Sequence, residues 1–331
     1  MRAILCRALG PPSALVLERE APEPRPGPGQ VLVRVEACGV NFADTLVIQG
    51  KYQARPPLPF APGGEIAGTV AELGPGVAGP PPGTRVLAMI GHGGFAELAL
   101  AGAEAVVLVP EGVDPVAAAA LSYAYGTTLH ALRDRGGLRP GETVLVLGAA
   151  GGAGLAAVQL AKLMGAGRVI AAASAGKLDV CREAGADALV DYREEGWRDR
   201  VKALAGGEGV DLVYDAVGGP YAEPALRAMA WGGRYLVVGF AAGEIPRVPL
   251  NLTLLKGCGI LGVFYGGFAK REPAANRALM AQLLDWVREG RLRPRVSATV
   301  PLEEAPAALE ALLSRRATGK LVVAVTQPPG R

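Results

Sequence analysis

The sequence predicts an α/β protein that combines a doubly wound parallel sheet with a second, mostly antiparallel β domain. The first hundred or so residues contain short alternating strands and glycine turns, such as VLVRVEACGV and GEIAGTVAELGPGV. From residue 143 to residue 240, five strands alternate with helices, a pattern that predicts parallel strands with right-handed crossovers. A length of 331 residues suits two domains.

The segments on either side of the strand–helix units define the predicted domain organisation. Residues 116–138 are alanine-rich, with apolar residues three and four apart, and predict a helix before the first unit. Residues 275–290 predict an amphipathic helix. Residues 296–325 predict a strand, a helix and a strand that pack back on the N-terminal domain. The predicted domains are residues 1–122 with 263–331, and the inserted residues 123–262.

Composition argues against several classes of protein. A net charge of +3, spread along the chain, is too small to indicate nucleic-acid binding. The uncharged segment Thr143–Ala161 is long enough to span a bilayer, but its four central glycines favour a strand, a turn and a helix. The four cysteines form no C-x-x-C pair and the N-terminal segment lacks a secretory pattern, which favours a reduced, cytoplasmic compartment.

The strongest motif is the glycine turn GAAGGAG, residues 148–154, between a buried strand and a helix. Glycines at positions 151 and 154 let the backbone lie close to a pyrophosphate, which the N–H groups at the helix start favour. A tight turn without a ligand is the alternative, and the flanking strand and helix argue against it. We expect the following residues to bind a dinucleotide: Gly148, Gly151, Gly152, Ala153 and Gly154.

The next strand indicates which dinucleotide binds. An acidic residue about 20 residues after the glycines would hydrogen-bond the ribose 2′-hydroxyl of NAD, but Ser174 stands at that point. Lys177 follows, and Tyr192 ends the following strand, so a hydroxyl, an ammonium and a phenol are available for a 2′-phosphate. Alternatively, Lys177 is a solvated helix residue and Tyr192 an ordinary strand end. Together with the missing acid, these residues favour NADPH.

Six segments carry a resemblance to a known family: VLVRVEACGVNFADT, GKY, PGGEIAGTVAELGPGV, GGFAE, GTTLHAL and GAAGGAGLAAVQLAK. In order and spacing they resemble the medium-chain dehydrogenase/reductase superfamily, specifically its zinc-free quinone oxidoreductase (zeta-crystallin-like) branch. The resemblance covers nearly the whole chain. It implies an N-terminal GroES-like β domain, a central Rossmann domain and a homodimer joined through the Rossmann sheets.

Zinc-dependent relatives in this superfamily carry a catalytic cysteine with a histidine partner, followed by a His-Glu pair. In this sequence the first position is Asn41 and the second is Gly64, and the structural lobe with four spaced cysteines is absent. A catalytic zinc takes about three protein ligands. The chain has only His92 and His130, which are not paired at ligand spacing. We therefore expect no metal site and structural roles for both histidines.

The resemblance also implies which residues surround the nicotinamide. Asn41, Asp44 and Tyr52 would line it, and Tyr52 is a candidate proton donor. The alternative for Asn41 and Asp44 is a turn with capping side chains. For Phe240 and Phe264, which would flank the cofactor, the alternative is core packing. The further cofactor contacts that the resemblance implies are Thr127 and Gly239.

Without zinc, the acceptor has to be one that takes hydride readily, since the nicotinamide carries the chemistry and the protein positions it. Quinones meet this condition, and so do carbon–carbon double bonds conjugated to a carbonyl. We expect NADPH:quinone reduction. An enoyl or 2-alkenal reductase is the alternative, because the same fold and cofactor serve both reactions. A non-catalytic NADPH-binding protein is the third interpretation.

Overall fold

The computed structural model describes residues 1–326 of the chain. They divide into two compact units: Met1–Tyr123 with the chain from Phe268 onward, and Ala124–Gly267. The predicted boundaries, after residues 122 and 262, precede these divisions by one and five residues. No helix among these residues is both long and apolar enough to cross a membrane.

The first unit begins with strands joined by short turns. Up to residue 123 its strands and helices are β1 (Ala3–Leu5), β2 (Val16–Glu18), β3 (Gln30–Val40), α1 (Phe42–Val47), β4 (Glu65–Leu73), β5 (Arg85–Met89), β6 (Leu98–Gly102), β7 (Val106–Leu108) and α2 (Pro115–Ala119). The alternation in β3 places Val33 and Val35 in the core while Arg34 is exposed, as expected for a sheet with one buried face.

The second unit alternates strands with helices. Its elements are α3 (Thr127–Leu129), β8 (Thr143–Leu147), α4 (Gly152–Leu163), β9 (Arg168–Ala173), α5 (Leu178–Glu183), β10 (Ala188–Asp191), α6 (Trp197–Leu204), β11 (Val210–Asp215), α7 (Ala222–Arg227), β12 (Met229–Val237), α8 (Asn251–Lys256) and β13 (Gly259–Gly262), followed by α9 (Tyr265–Arg271) at the division. The strands form one sheet in the order β10-β9-β8-β11-β12-β13, and every pair is parallel. This is the doubly wound sheet that the sequence predicts.

The last segment of the chain completes the first unit. Its elements are α10 (Pro273–Arg288), β14 (Val296–Pro301), α11 (Ala305–Leu313) and β15 (Lys320–Ala324). Strand β15 pairs antiparallel with β3, and β14 pairs parallel with β15. The sheet therefore has the order β14-β15-β3-β4-β5-β7, with β6 also paired to β3. The prediction that the C-terminal segment packs on the N-terminal domain is confirmed.

The alanine-rich segment differs from the continuous helix that the sequence predicts. After α2 the backbone becomes π-helical over Leu121–Gly126, returns to α3 for one turn, and is π-helical again over His130–Arg135. At Gly126 the hydroxyl of Tyr265 lies so close that a Cβ would overlap it. The tyrosine ring therefore requires glycine at this position, and π-helical turns of this kind occur frequently at functional sites.

The last part of the parallel sheet contains an irregular pairing and a further helix. Strand β12 has an irregular register between Val210 and Leu212 of its partner β11. Beyond residue 250 the chain forms α8 before the last strand, β13. Helix α8 ends at Gly257, whose left-handed backbone (φ 56°) favours glycine.

Candidate active site

The glycine turn follows β8 at the carboxyl edge of the parallel sheet. Gly148 has φ 69°, a conformation that favours glycine, and a Cβ on Gly154 would overlap the carbonyl oxygen of Gly148. Gly151 is different, because its backbone is extended (φ −81°) and a Cβ there would lie 3.5 Å from the nearest protein atom. The fold therefore requires glycine at 148 and 154, whereas glycine at 151 leaves room next to the turn.

Helix α4 begins directly after this turn. Gly151 is its N-cap, and no side chain caps the helix. The first N–H groups of an α-helix have no partner within the helix and carry the positive end of its dipole. The predicted dinucleotide contacts Gly152, Ala153 and Gly154 form this first turn, so the structure brings all five predicted residues together in the turn and at the helix start. Helix N-termini of this kind are suited to anions.

The ends of β9 and β10 lie side by side, with Ala173 in register with Asp191. Ser174 directly follows β9, Lys177 ends the short 3₁₀ turn after it, and Tyr192 directly follows β10. Partial burial lowers the pKa of the Lys177 ammonium. The structure thus brings the three predicted 2′-phosphate residues to one edge of the sheet, which is also the edge of the glycine turn.

Asp191 organises these strand ends and was not predicted from the sequence. Its buried carboxylate accepts hydrogen bonds from the backbone N–H groups of Ala175 (2.9 Å) and Arg193 (2.9 Å), and pairs with the Arg193 guanidinium. These contacts hold the pKa of Asp191 below its usual value despite burial, which opposes them. Backbone hydrogen bonds and the Arg193 guanidinium therefore compensate the negative charge of Asp191. The Tyr192 ring packs against that of Tyr221, with centroids 4.3 Å apart.

A second buried carboxylate, Asp215, shapes the turn after β11. Oδ1 accepts the N–H groups of Val217 (2.7 Å) and Gly218 (2.9 Å), and Oδ2 accepts the Tyr235 hydroxyl (2.6 Å). The backbone N–H of Gly239 donates a hydrogen bond to the backbone oxygen of Asp215. A Cβ on Gly218 would lie 2.8 Å from the Phe240 ring, so this ring covers the turn.

The aromatic residues predicted to flank the cofactor both belong to the second unit. Phe240 lies after β12 and Phe264 after β13, and both rings are exposed. Thr127, in α3, is half-buried, and its hydroxyl has no hydrogen-bond partner within residues 1–326. The neighbouring Thr128 is buried and contacts the carbonyl oxygen of Ala153 (3.3 Å) and the hydroxyl of Tyr214 (2.9 Å), which ties α3 to the start of α4.

Asn41, Asp44 and Tyr52 lie in the first unit. Asn41 is the N-cap of α1, and its backbone N–H donates to Oδ2 of Asp44 at 2.8 Å. Burial raises the pKa of Asp44 to about 7, while the Asn41 N–H and the Lys320 charge oppose the shift. Tyr52 packs against the core of this unit, and burial, with the Asp44 charge, raises the pKa of its phenol. The alternative interpretation, in which Asn41 and Asp44 cap a turn, therefore accounts for the hydrogen bond between the Asn41 backbone and the Asp44 side chain.

The side chain of Asn41 belongs to a buried charged group that was not predicted from the sequence. Oδ1 of Asn41 accepts a hydrogen bond from Nζ of Lys320 (2.8 Å), and Nδ2 donates to Oε1 of Glu65 (2.9 Å). Lys320 and Glu65 form an ion pair with each other. A lysine at the start of the apolar strand KLVVA was the one signal in the sequence.

The histidines contact neighbours within their own units. His92 packs edge-on against the Phe60 ring at 6.0 Å, and burial lowers the pKa of its imidazole. His130 pairs with Asp134 through Nδ1 (2.9 Å), and its ring faces Tyr265. Across residues 1–326, no three His, Cys, Asp or Glu side chains are grouped so that they could hold a metal ion. Zinc independence stays a prediction.

Comparison with known proteins places both units in families. Residues 27–111 match the family described as alcohol dehydrogenase GroES-like domain, and residues 152–285 match the family described as zinc-binding dehydrogenase. A quinone oxidoreductase-like protein 2 homolog from Nematostella vectensis is 40% identical over 328 residues, which cover 98% of this chain and 89% of that protein.

Two further relatives cover nearly the full length of both chains. The quinone oxidoreductase of Sus scrofa is 34% identical over 325 residues, covering 98% of this chain and 97% of that protein. The crystal structure of Escherichia coli quinone oxidoreductase complexed with NADPH has 29% identity and a TM-score of 0.90, covering 98% of this chain and 100% of that chain. The fold, the glycine turn and these relatives define this protein as an oxidoreductase.

The chain belongs to the medium-chain dehydrogenase/reductase superfamily, in its quinone oxidoreductase (zeta-crystallin-like) branch. The resemblance identified from the six sequence segments is thereby confirmed, and so is the fold class, with a GroES-like sheet and a parallel Rossmann sheet.

Proposed function

We propose that this protein is an NADPH-dependent, zinc-independent reductase whose acceptor is a quinone. The observation that carries the proposal is the uncapped α4 N-terminus behind a glycine turn, with Lys177 at the end of the 3₁₀ turn that follows the neighbouring strand β9. Relatives of 33–40% identity named quinone oxidoreductase or quinone oxidoreductase-like support the acceptor class.

The residues of the second unit fit a dinucleotide phosphate. The space left by Gly151, together with the helix N–H groups, suits a pyrophosphate. The Lys177 ammonium and the Ser174 hydroxyl suit a 2′-phosphate, because the one carboxylate at these strand ends, Asp191, is already bound by protein N–H groups and Arg193. NADPH is therefore the dinucleotide that these residues would bind more tightly than NADH.

In the first unit, Asn41, Asp44 and Tyr52 would act at the acceptor. Bound NADPH supplies the hydride, and the reduced acceptor also takes up a proton. The Tyr52 phenol has an ordinary pKa of 10.0 and is protonated at neutral pH, and burial and Asp44 raise its pKa further. With a pKa of about 7, the Asp44 carboxyl carries an exchangeable proton in the same pH range. These two groups would therefore hold the proton that the product needs.

The donor set in the first unit does not fit a catalytic zinc. Gly64 offers no side-chain ligand, and both polar atoms of the Asn41 side chain are bound within the protein. The Lys320 ammonium lies 2.8 Å from Oδ1 of Asn41, so a dication there would meet a positive charge. This arrangement supports a reaction in which hydride acceptance depends on the acceptor itself, as it does for a quinone.

We also propose that the protein is a homodimer joined through the parallel sheet. Strand β13 is an edge strand of that sheet, and an unpaired edge is available for pairing with a second copy. Next to it in the second unit lies a group of exposed large apolar side chains, the α8 surface: Trp231, Leu250, Leu254, Leu255 and Ile260. Grouped exposed apolar side chains are typical of an interface.

The test follows NADPH oxidation by absorbance with benzoquinone, naphthoquinone, a 2-alkenal and an enoyl-CoA, and repeats each assay with NADH. The proposal predicts fast turnover with the quinones and a preference for NADPH. If only the alkenal or the thioester reacts, the protein is an enoyl or alkenal reductase. If NADPH binds but no acceptor is reduced, the non-catalytic interpretation replaces the proposal.

A further inference from the structure

A buried triangle of side chains lies at the start of α1. Nζ of Lys320 donates to Oδ1 of Asn41 at 2.8 Å and forms an ion pair with Oε1 of Glu65. Oε1 of Glu65 also accepts a hydrogen bond from Nδ2 of Asn41 at 2.9 Å. Lys320 is 4% exposed and Glu65 is 0% exposed. Two opposite charges are thus held away from water on either side of one amide.

The backbone around the triangle holds Glu65 in a fixed orientation. Its second oxygen, Oε2, accepts the backbone N–H of Tyr123 at 2.8 Å. A Cβ on Gly39 would overlap the Glu65 carboxylate and the carbonyl oxygen of Ala119. The glycine in β3 therefore lets the carboxylate pack directly on the backbone, and neither carboxylate oxygen is left without a partner.

The triangle determines which hydrogen bonds the Asn41 side chain can offer. The two hydrogens of Nδ2 are taken by Oε1 of Glu65 and by the carbonyl oxygen of Gly39, at 3.3 Å. Oδ1 has two lone pairs, and Lys320 takes one of them. The backbone N–H of Asp44 faces this side chain in the capping box, but it bonds the backbone oxygen of Asn41 at 3.1 Å, so one acceptor position of Oδ1 remains. An amide flip would turn the NH₂ group toward the ammonium and the oxygen toward the carboxylate, so the charges fix one orientation.

We infer that Lys320 and Glu65 are positioning residues, which hold the Asn41 amide so that it presents an acceptor oxygen to an N–H or O–H donor of the bound reactants. The inference rests on the proposed function, in which Asn41 contacts the reactants. A buried ion pair is weak evidence for stability, because the desolvation of both charges offsets their attraction. Fixing the orientation of one amide is a role that an apolar pair could not perform.

The first experiment separates positioning from stability with the double variant Glu65→Gln/Lys320→Met. The single variant Lys320→Met leaves a buried carboxylate without a cation and should lower Tm, whereas the double variant removes both charges and should recover most of that loss. We expect kcat of the double variant to stay about 10²-fold below wild type, because a small misplacement of the reacting groups lowers the rate by about that factor. The Kd of NADPH should remain within about 2-fold, because the cofactor phosphates bind the other unit.

The control removes a less buried ion pair in the second unit. Arg234 and Glu142 pair at 2.6 Å in the second unit, and the arginine also binds the carbonyl oxygen of Gly136. The variant Glu142→Gln/Arg234→Met should change Tm while kcat stays at the wild-type value. If the double variant of the triangle also kept the wild-type kcat, the ion pair would be purely structural and the inference would be overturned.

A second experiment does not depend on turnover. The chain contains three asparagines, Asn41, Asn251 and Asn276, so selective ¹⁵N labelling of asparagine side chains gives three NH₂ signals. The variant Asn41→Ser assigns the Asn41 signal by its disappearance. Wild type should protect these two protons from solvent exchange, and the double variant should lose at least 10-fold of that protection, about 1.4 kcal/mol.

The two experiments keep the failures of the inference and of the proposed function apart. If wild type reduces no acceptor, the proposed function fails, and the Asn41 exchange measurement alone decides whether the amide is locked. Fast exchange of the Asn41 protons in wild type, or equal protection in the double variant, would overturn the inference even if quinone turnover were fast.

Discussion

Lys320 and Asn41 are 279 positions apart in the sequence, yet Nζ of the lysine lies 2.8 Å from Oδ1 of the asparagine. The contact joins the start of β15 to the N-cap of α1, and it is possible because β15 pairs antiparallel with β3, the strand that leads into α1. The sheet of the first unit therefore brings a cation from the C-terminal segment to the residues proposed to contact the acceptor.

The first prediction concerns the pH dependence of stability. The folded protein holds the Asp44 proton up to about pH 7, whereas the unfolded chain releases it near its usual value of 3.8. The native state therefore binds more protons between these values, so the Asp44 contribution to the free energy of unfolding falls as pH rises through this window. The side chain introduced by Asp44→Asn is uncharged at every pH. This variant should therefore lack the Asp44-dependent fall in the free energy of unfolding, which is up to about 4 kcal/mol.

Chemical denaturation of wild type and Asp44→Asn, measured at several pH values, checks this prediction. The amide oxygen introduced at position 44 can still accept a hydrogen bond from the backbone N–H of Asn41, so the helix cap is kept. Asp44→Ala loses the cap as well and should be less stable than Asp44→Asn at every pH. Parallel stability curves for wild type and Asp44→Asn would show that Asp44 titrates normally.

The second prediction compares two glycines of the same turn. Gly151→Ala fits the fold, because its Cβ would meet no protein atom closer than 3.5 Å, but it occupies the space proposed for the pyrophosphate. We expect an unchanged Tm and at least a 10-fold rise in the Kd of NADPH. Gly154→Ala overlaps the Gly148 carbonyl oxygen and should destabilise the fold by about 1–3 kcal/mol. Calorimetry and fluorescence titration distinguish the two, and unchanged binding in Gly151→Ala would argue against this turn as the phosphate site.

The third prediction concerns the choice between NADPH and NADH. Lys177→Ala should raise the KM for NADPH about 10-fold or more, because a charge-assisted contact to a phosphate is lost, and leave the KM for NADH unchanged. Lys202→Ala is the matched control, since Lys202 lies near the end of α6, where Leu204 contacts Arg168 at the start of β9, the strand end opposite to Lys177. Equal effects of Lys177→Ala on both cofactors would place the 2′-phosphate elsewhere.

The fourth prediction concerns the α8 surface. Leu254→Glu/Leu255→Glu puts two carboxylates into the proposed interface and should convert the dimer into a monomer in sedimentation experiments, because buried unpaired charges are costly. Both side chains are exposed within one chain, so the monomer should keep its fold. The control is Leu108→Glu, which adds one carboxylate at an exposed leucine of the first unit and should leave the dimer intact. A wild-type monomer would refute the dimer proposal directly.

The parallel sheet could be predicted from the sequence because its signals are local. Strands such as TVLVL and RVIAAA are apolar runs, and they are buried in the structure as strands covered on both faces are expected to be. The glycine turn is likewise a local motif, in which strand, turn and helix follow each other directly. The broken helix after α2 is different, since the ring of Tyr265, far along the chain, fits against Gly126.

The charged groups around the site could not be predicted for the same reason. Glu65 and Lys320 are 255 positions apart, and nothing in GGEIAG or TGKLVV indicates that they pair. Asp191 and Asp215 end strands where acids are common, and their role depends on backbone N–H groups of the following turns. A single sequence shows which residue types are present. Which of these residues form ion pairs or hydrogen bonds with each other depends on the order of the strands in the sheet.

The return of the chain to its first sheet has a consequence for biosynthesis. Glu65 and Asn41 leave the ribosome long before Lys320, so the nascent N-terminal segment carries a carboxylate whose counter-ion does not yet exist. Burying that carboxylate alone would be costly. The N-terminal segment is therefore expected to stay loosely folded, and open to chaperones, until β15 has been synthesised, while the parallel sheet between them can fold as it emerges.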